Sequence, residues 1–309
     1  MKKKQGWLIN DCLTCIPDTR TLWHFLLDIF PNLIDKTGGY TAFHQLKYKV
    51  ENELKKNKEP DFIIRNASYF PVLDSKAKTI SILQDIRDND QMQIEVCNKS
   101  DLVVCVSNYV REKYKNKITT RIEVIPVGTD FLLFDEIKEK TDLCNELQIL
   151  PNSIIFIGAA NAYPKGFDIL MDIVNKTNYN FCFVMKDDWF EKHPRIRIFN
   201  KVNHDKLKKI INACDISICT SKEETLHLAG VECAACNLPL ISSNVGIYHE
   251  MQSGEWGRLV RDNKSENFIK EIDFIFNNKN NFNPRNDFIK KELDLNSWKD
   301  KWIKIIDEI

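Results

Sequence analysis

The chain has 309 residues, enough for two α/β domains of ordinary size, and its formal net charge of zero removes the bulk electrostatic case for nucleic acid. Its 43% hydrophobic content is ordinary for a globular protein, and no run of about 18 apolar residues reads as a membrane-spanning helix. Met1-Lys2-Lys3-Lys4 leads into a strand without the apolar segment and cleavage site of a signal peptide, and the ten cysteines are scattered, so reduced thiols and a cytoplasmic setting are expected.

Gly6 to Leu13 reads as the first strand. The turn from Cys15 to Arg20 leads into a helix, Thr21 to Phe30, ended by Pro31, with Asp18 or Thr19 suited to the N-cap. A turn after the first strand of a Rossmann-like domain faces ligand, which sets Thr19 and Arg20 against the plainer reading of Arg20 as a solvated residue. Gly38-Gly39 precedes a charged helix, about Tyr40 to Lys58. Its lysines suit either an anionic membrane surface or a solvated face. Asp61 to Arg65 and Thr79 to Leu83 read as strands, the second ending at Gln84-Asp85. Asp88-Asn89-Asp90 reads as a helix-start turn rather than a metal-binding pair. Asp101 to Ser107 is the next strand, Ser107 caps a helix over Asn108 to Tyr114, and Arg121 to Ile125 closes this half.

Ser153 to Gly158 begins a second series, followed by a small-residue loop, Lys165-Gly166 and a helix from Phe167 to Asn175. Asn180 to Met185 is a strand that ends in Lys186-Asp187-Asp188. A strand over Arg197 to Val202 and a helix over Asp205 to Ala213 follow, with His204 at the helix start. Strands alternating with helices predict parallel sheets. The buried strand at Asp215 to Ser221 runs into a polar turn, Lys222-Glu223-Glu224-Thr225, and a small-residue helix from about Leu226 to Cys236, stopped by Asn237 and Pro239. A strand over Leu240 to Ser242 completes a βαβ unit, which places the polar turn at the carboxyl edge of the sheet. Glu224 precedes the helix and Glu232 lies two turns inside it, about 12 Å along. That spacing suits an elongated ligand with a diphosphate on the free N–H groups at the helix start. A sugar would lie near Glu224, a ribose diol near Glu232, and His227 between them. The plainer reading is one capping and one surface glutamate. A helix over Phe268 to Phe276, an Asn-rich loop and a helix over Asn296 to Glu308 end the chain. The pairs Cys12/Cys15 and Cys233/Cys236 have zinc-like spacing, but buried cysteine behaves as a small hydrophobe and no metal site is expected. No GxGxxG, GxxxxGK[ST] or HExxH occurs, which disfavours a nicotinamide enzyme, a P-loop NTPase and a zincin.

Ser221, Glu224, Glu232, Ala234, Ala235, Cys236, Leu238, Pro239, Ser243 and Gly246, with Glu250 and Gly257 downstream, resemble the E-x7-E signature of retaining glycosyltransferases of the GT-B fold. Glycosyltransferase family 4 is the nearest group. Lys165 is similar to the family's phosphate-binding lysine, and Pro126-Val127-Gly128-Thr129-Asp130 to its interdomain link. Thr225 and His227 stand where the family has glycines. Ala160 and Asn161 stand in the region of a second cation, for which Lys186 is the substitute candidate. The resemblance implies an α/β, GT-B architecture of two Rossmann-like domains with parallel sheets facing across a cleft. Residues 1–130 would form the acceptor side and 131–295 the nucleotide-sugar side, with helix 296–309 crossing back onto the first. It implies retaining transfer of a sugar from a UDP- or GDP-linked donor to a hydroxyl of a glycan, lipid-linked or other acceptor, with no metal and no cofactor beyond the donor. Glu224, Lys165 and Glu232 are the expected catalytic set. Gly158, Lys186, Thr225, Leu226, His227 and Leu228 join Lys165 and Glu232 in donor binding, and Thr19, Arg20 and Asp85 face the acceptor. Peripheral contact at the inner face of the membrane is an accompanying expectation. The rival readings are a nucleotide-sugar epimerase or hydrolase on the same scaffold, and a catalytically silent partner subunit.

Overall fold

A computed structural model describes residues 6–9, 33–35, 60–66, 74–87, 90–158, 163–185 and 193–309. Thr19, Arg20, Lys186, the Cys12/Cys15 pair and the expected helices at 21–30 and 40–58 lie outside the described residues. The chain divides into two compact units, Met1–Val127 with Trp298–Ile309, and Gly128–Ser297.

The first unit holds a six-stranded parallel sheet of β1 (Gly6–Ile9), β2 (Leu33–Asp35), β3 (Phe62–Asn66), β4 (Lys78–Leu83), β5 (Leu102–Cys105) and β6 (Ile122–Val124), in the order β2-β1-β3-β4-β5-β6. Ile63, Ile64, Ile80, Ile82, Val103 and Val104 are buried, as the near-continuous apolar runs of a doubly covered parallel sheet require. Helices α1 (Gln91–Asn98) and α2 (Asn108–Tyr114) follow β4 and β5. Ser107 caps α2, its Oγ accepting from Val110 N–H at 3.2 Å. The loop at the carboxyl end of β4 is tied down from α1 and α2. Gln93 Nε2 donates to Asp85 O at 2.9 Å, and Tyr114 OH donates to Gln93 Oε1 at 3.2 Å.

The second unit holds β7 (Ser153–Gly158), β8 (Asn180–Met185), β9 (Ile196–Asn200), β10 (Ile216–Cys219), β11 (Leu240–Ser243) and β12 (Gly257–Val260), parallel in the order β12-β11-β10-β7-β8-β9. Alternate residues pack on opposite faces. Ile154, Phe156, Phe181 and Phe183 join one buried cluster, while Ile155, Cys182 and Val184 join the other. Its helices are α3 (Lys140–Leu147), α4 (Phe167–Lys176), α5 (His204–Ala213), α6 (Leu228–Ala235), α7 (Ser265–Asn277) and α8 (Pro284–Lys290), while α9 (Leu295–Glu308) ends the chain and belongs from Trp298 to the first unit. The strand order reverses between β7 and β10, a topological switch point where loops diverge and leave a crevice at the carboxyl ends.

Several elements depart from the sequence reading. The expected Asn-rich loop contains α8, because Asn283 accepts from Asn286 N–H at 3.3 Å and Pro284 supplies a preorganised first helical residue. β9 ends at Asn200 rather than Val202, since Lys201 adopts a left-handed backbone with φ 50°. α1 starts directly after Asp90, at the expected helix-start turn, whereas β2, β12 and α3 were not anticipated. They are three to eight residues long, too short to show a full period.

Candidate active site at the switch point of the second unit

The loops leaving β7 and β10 meet because the two strands are neighbours, with Ile216 opposite Ile154 and Ser217 opposite Ile155. Gly166, the residue before α4, has φ 61°, and a Cβ there would lie 1.9 Å from Thr220 O. Only glycine permits both the left-handed turn and that approach. The seam is closed by Thr220 Oγ1 donating to Lys165 O at 3.1 Å and Lys222 N–H donating to Pro164 O at 2.6 Å. Asn263 Nδ2 donates to Thr220 O at 3.2 Å, and Ser243 Oγ donates to Ser221 O at 2.5 Å, so the β10 loop is held from behind.

This seam brings together Lys165 and Glu224, 59 residues apart in the chain. Lys165 Nζ donates to Glu224 Oε1 at 2.6 Å, and Ser221 Oγ donates to the same oxygen at 2.8 Å. The lysine side chain is 31% exposed and the glutamate 12%, so the pair borders solvent on the lysine side. Burial alone would raise the Glu224 carboxyl; His227 and Lys165 outweigh it and hold the group below its ordinary value. Glu224 is therefore an ionised acceptor at neutral pH.

The start of α6 corrects the sequence reading. The helix was expected from Leu226 to Cys236 but runs from Leu228 to Ala235. His227 adopts φ 72°, ψ 61°, so a left-handed residue separates Leu226 from the helix. Glu232 is consequently about one turn inside α6 rather than two. The position where the resemblance expects glycine keeps a glycine-like backbone with a histidine on it. That histidine ring turns inward: His227 is 9% exposed and its Nδ1 lies 3.0 Å from Tyr248 OH. The ring expected beside the ligand is thus buried against Tyr248. Gly230 makes the room, since a Cβ there would meet Tyr248 OH at 1.9 Å and His227 Nδ1 at 2.4 Å. Burial disfavours the imidazolium, but Cys219 and Glu224 outweigh it and raise the His227 pKa. In turn burial would raise the Cys219 thiol, but His227 lowers it.

Glu232 is half-buried on α6, and burial pushes its carboxyl up to about 7, against the weaker opposing influence of His227. Thr225 is half-buried, Leu226 is buried with its carbonyl accepting from Ile247 N–H at 3.3 Å, and Leu228 is 42% exposed at the helix start. The Leu226 side chain thus packs inward, and that of Leu228 is open to solvent. Gly158 ends β7, half-buried, at the carboxyl edge of the same sheet. Asp85 belongs to the first unit, where its carboxylate lies 3.9 Å from Arg87. His204 opens α5 as expected, packed edge-on against Phe134 at 5.6 Å. Cys233 and Cys236 are buried free thiols raised by burial, which fits packing rather than ligation. Sequence reading missed Cys219, Gly230 and Tyr248. The one signal available was Gly230, a poor helix former in the middle of a helix.

Residues 151–278 match the family model described as glycosyl transferases group 1. The chain is 25% identical over 181 residues to the uncharacterized glycosyltransferase MJ1178 of Methanocaldococcus jannaschii, covering 56% of this chain and 48% of that protein. It is 25% identical over 173 residues to the phosphatidylinositol N-acetylglucosaminyltransferase GPI3 subunit of Saccharomyces cerevisiae, covering 50% of this chain and 38% of that one. The match therefore spans about half or less of the curated relatives' length. Among solved structures, Anabaena HepE in complex with UDP-glucose superposes with a TM-score of 0.76 at 15% identity, covering 98% of this chain and 100% of that one. The chain has the GT-B fold of two parallel-sheet Rossmann-like halves, and its second half matches the glycosyl transferases group 1 domain.

Proposed function

We propose that this chain is a retaining, metal-independent glycosyltransferase that takes a nucleoside diphosphate sugar in its second unit. The observation that carries the reading is the Lys165–Glu224 pair at the switch point, an ammonium and a carboxylate 2.6 Å apart in a solvent-bordering crevice. A donor would divide this pair. Its diphosphate takes Lys165 and the N–H groups around Leu228, its sugar hydroxyls take Glu224, and its ribose takes Glu232. The bond between the anomeric carbon and the phosphate oxygen breaks and a bond to the acceptor oxygen forms on the same face. The acceptor proton passes to the departing phosphate, so the protein supplies charge stabilisation rather than a nucleophile. The UDP-glucose held by HepE supports a uridine donor, and the phosphatidylinositol substrate in the name of the GPI3 subunit supports a glycan or lipid-linked acceptor. A cytoplasmic protein with peripheral membrane contact fits such an acceptor; among the described residues no helix is long and apolar enough to cross a membrane.

The test is thermal unfolding with UDP and GDP, then transfer from the corresponding sugars in chelator. A nucleotide at 100 times its Kd should stabilise by about 2.7 kcal/mol, a shift of several degrees. Glu224→Gln should reduce transfer by about 100-fold or more, and the product anomer should keep the donor configuration. A Glu224→Gln variant as active as the parent would instead favour a silent partner subunit. That second reading draws on the word "subunit" in the GPI3 name and on His227 and Thr225 standing at glycine positions.

A further inference from the structure

We propose that Cys219, His227 and Glu224 form a binding site for a thiophilic divalent cation, zinc by its chemistry, whose occupation competes with the sugar donor. One ligand atom from each residue lies within 4.8 Å of the other two. Around a tetrahedral zinc, with Zn–S about 2.3 Å and Zn–N or Zn–O about 2.0 Å, such atoms sit about 3.3–3.6 Å apart. Closing the site thus asks for at most about 1.5 Å of contraction, to which rotation of the long Glu224 side chain contributes. His227 engages Tyr248 OH through Nδ1 at 3.0 Å, which fixes the ring from behind as outer-shell partners of zinc-bound imidazoles do, and its hydrogen bond with Cys219 is the contact a cation would replace. Gly230 keeps that arrangement free of a clashing Cβ. Thiolate and imidazole together select zinc over magnesium or calcium. Three protein ligands leave a fourth position for water.

The consequence follows from charge. Glu224 Oε1 already accepts from Lys165 Nζ at 2.6 Å, and a divalent cation on the same carboxylate repels that ammonium. A cation on Glu224 therefore loosens its hold on Lys165 and takes up carboxylate lone pairs that sugar hydroxyls would use. The competition rests on the donor reading above; the cation site itself does not.

The experiment titrates the whole chain, stripped with chelator, with Co2+ and reads the thiolate-to-cobalt charge-transfer band. The expected result is a band that zinc displaces, with Cys219→Ser and His227→Asn each binding one equivalent fewer than the parent. Asparagine tolerates the left-handed backbone at 227, and circular dichroism verifies that both variants fold. Cys233→Ala should bind the parent number, and Tyr248→Phe should weaken the site about tenfold. No band, or a stoichiometry unchanged in both ligand variants, overturns the site. Zinc should slow donor turnover in the parent and leave the residual turnover of Cys219→Ser untouched; equal inhibition of both overturns the competition. Nucleotide-dependent stabilisation of the zinc-free protein reports separately on the donor reading.

Discussion

Gly166 and His227 are both left-handed, yet they reach that conformation by different means. Gly166 has nothing to clash with Thr220 O, whereas His227 is held against its backbone preference by Tyr248 and Cys219. Gly166→Ala should therefore lower stability by more than about 2 kcal/mol, through an unfavourable φ plus a backbone overlap, and should weaken nucleotide binding by displacing Lys165. Denaturant unfolding measures the first and nucleotide titration the second; a variant as stable as the parent would contradict the close approach of the two loops. Glu232 gives a pH signature. Its carboxyl titrates near 7 in the fold, against an ordinary 4.5. A raised folded pKa is a contribution fully present below the unfolded value and lost as pH climbs through the folded one. Glu232→Gln escapes that loss. The variant should thus gain on the parent between pH 4.5 and 8, by roughly 2–3 kcal/mol at the upper end, and a pH-independent difference would refute the buried-carboxyl account. With Glu232 taking the ribose as proposed, nucleotide affinity of the parent should move the other way, tightening as pH rises through about 7 as the carboxyl becomes an ionised acceptor.

At the scale of elements, α6 is short and rich in small residues, and its placement depends on both ends. Its last turn is held by Arg285, which donates to Ala235 O and also to Phe131 O at 2.8 Å and Phe134 O at 3.0 Å. A cation at a helix carboxyl terminus also complements the helix dipole. In the middle sits Gly230, where propensity and packing predict opposite outcomes. Glycine to alanine inside a helix ordinarily gains about 1 kcal/mol. Here the added Cβ would lie 1.9 Å from Tyr248 OH, so Gly230→Ala should destabilise and should release the His227 ring. Thermal unfolding decides between the two, since a stabilised Gly230→Ala variant would mean that the His227–Tyr248 contact is not what fills that space.

For the whole molecule, the two units carry different shares of the chemistry. Every described donor candidate, from Gly158 and Lys165 to Glu232, belongs to the unit spanning Gly128–Ser297, and Asp85 belongs to the other. Hydrogen exchange with and without UDP should show protection concentrated around Lys165 and over Thr220–Glu232, with little change over Gln91–Val124. Protection confined to the first unit would remove the proposed donor site. The base of the second sheet is braced independently of the site. Asp215 accepts from Ser153 N–H at 3.1 Å and pairs with Lys140 at 3.1 Å and Lys279 at 3.0 Å.

The strands Ser153–Gly158 and Asn180–Met185 were legible to the residue, because a run buried on both faces leaves an unbroken apolar signature bounded by polar turns. Ser107 as a cap and the parallel architecture followed from equally local rules. Local chemistry did not set the start of α6, because His227 is a poor left-handed residue until Tyr248, Gly230 and Cys219 surround it. The meeting of Lys165 with Glu224 likewise depends on β7 and β10 being neighbours across a reversal of strand order. The sequence determines which segments become strands, helices and turns, since those preferences act over a few residues. Which side chains share a charge, and which way a ring points, is decided only when segments tens of residues apart are packed against each other.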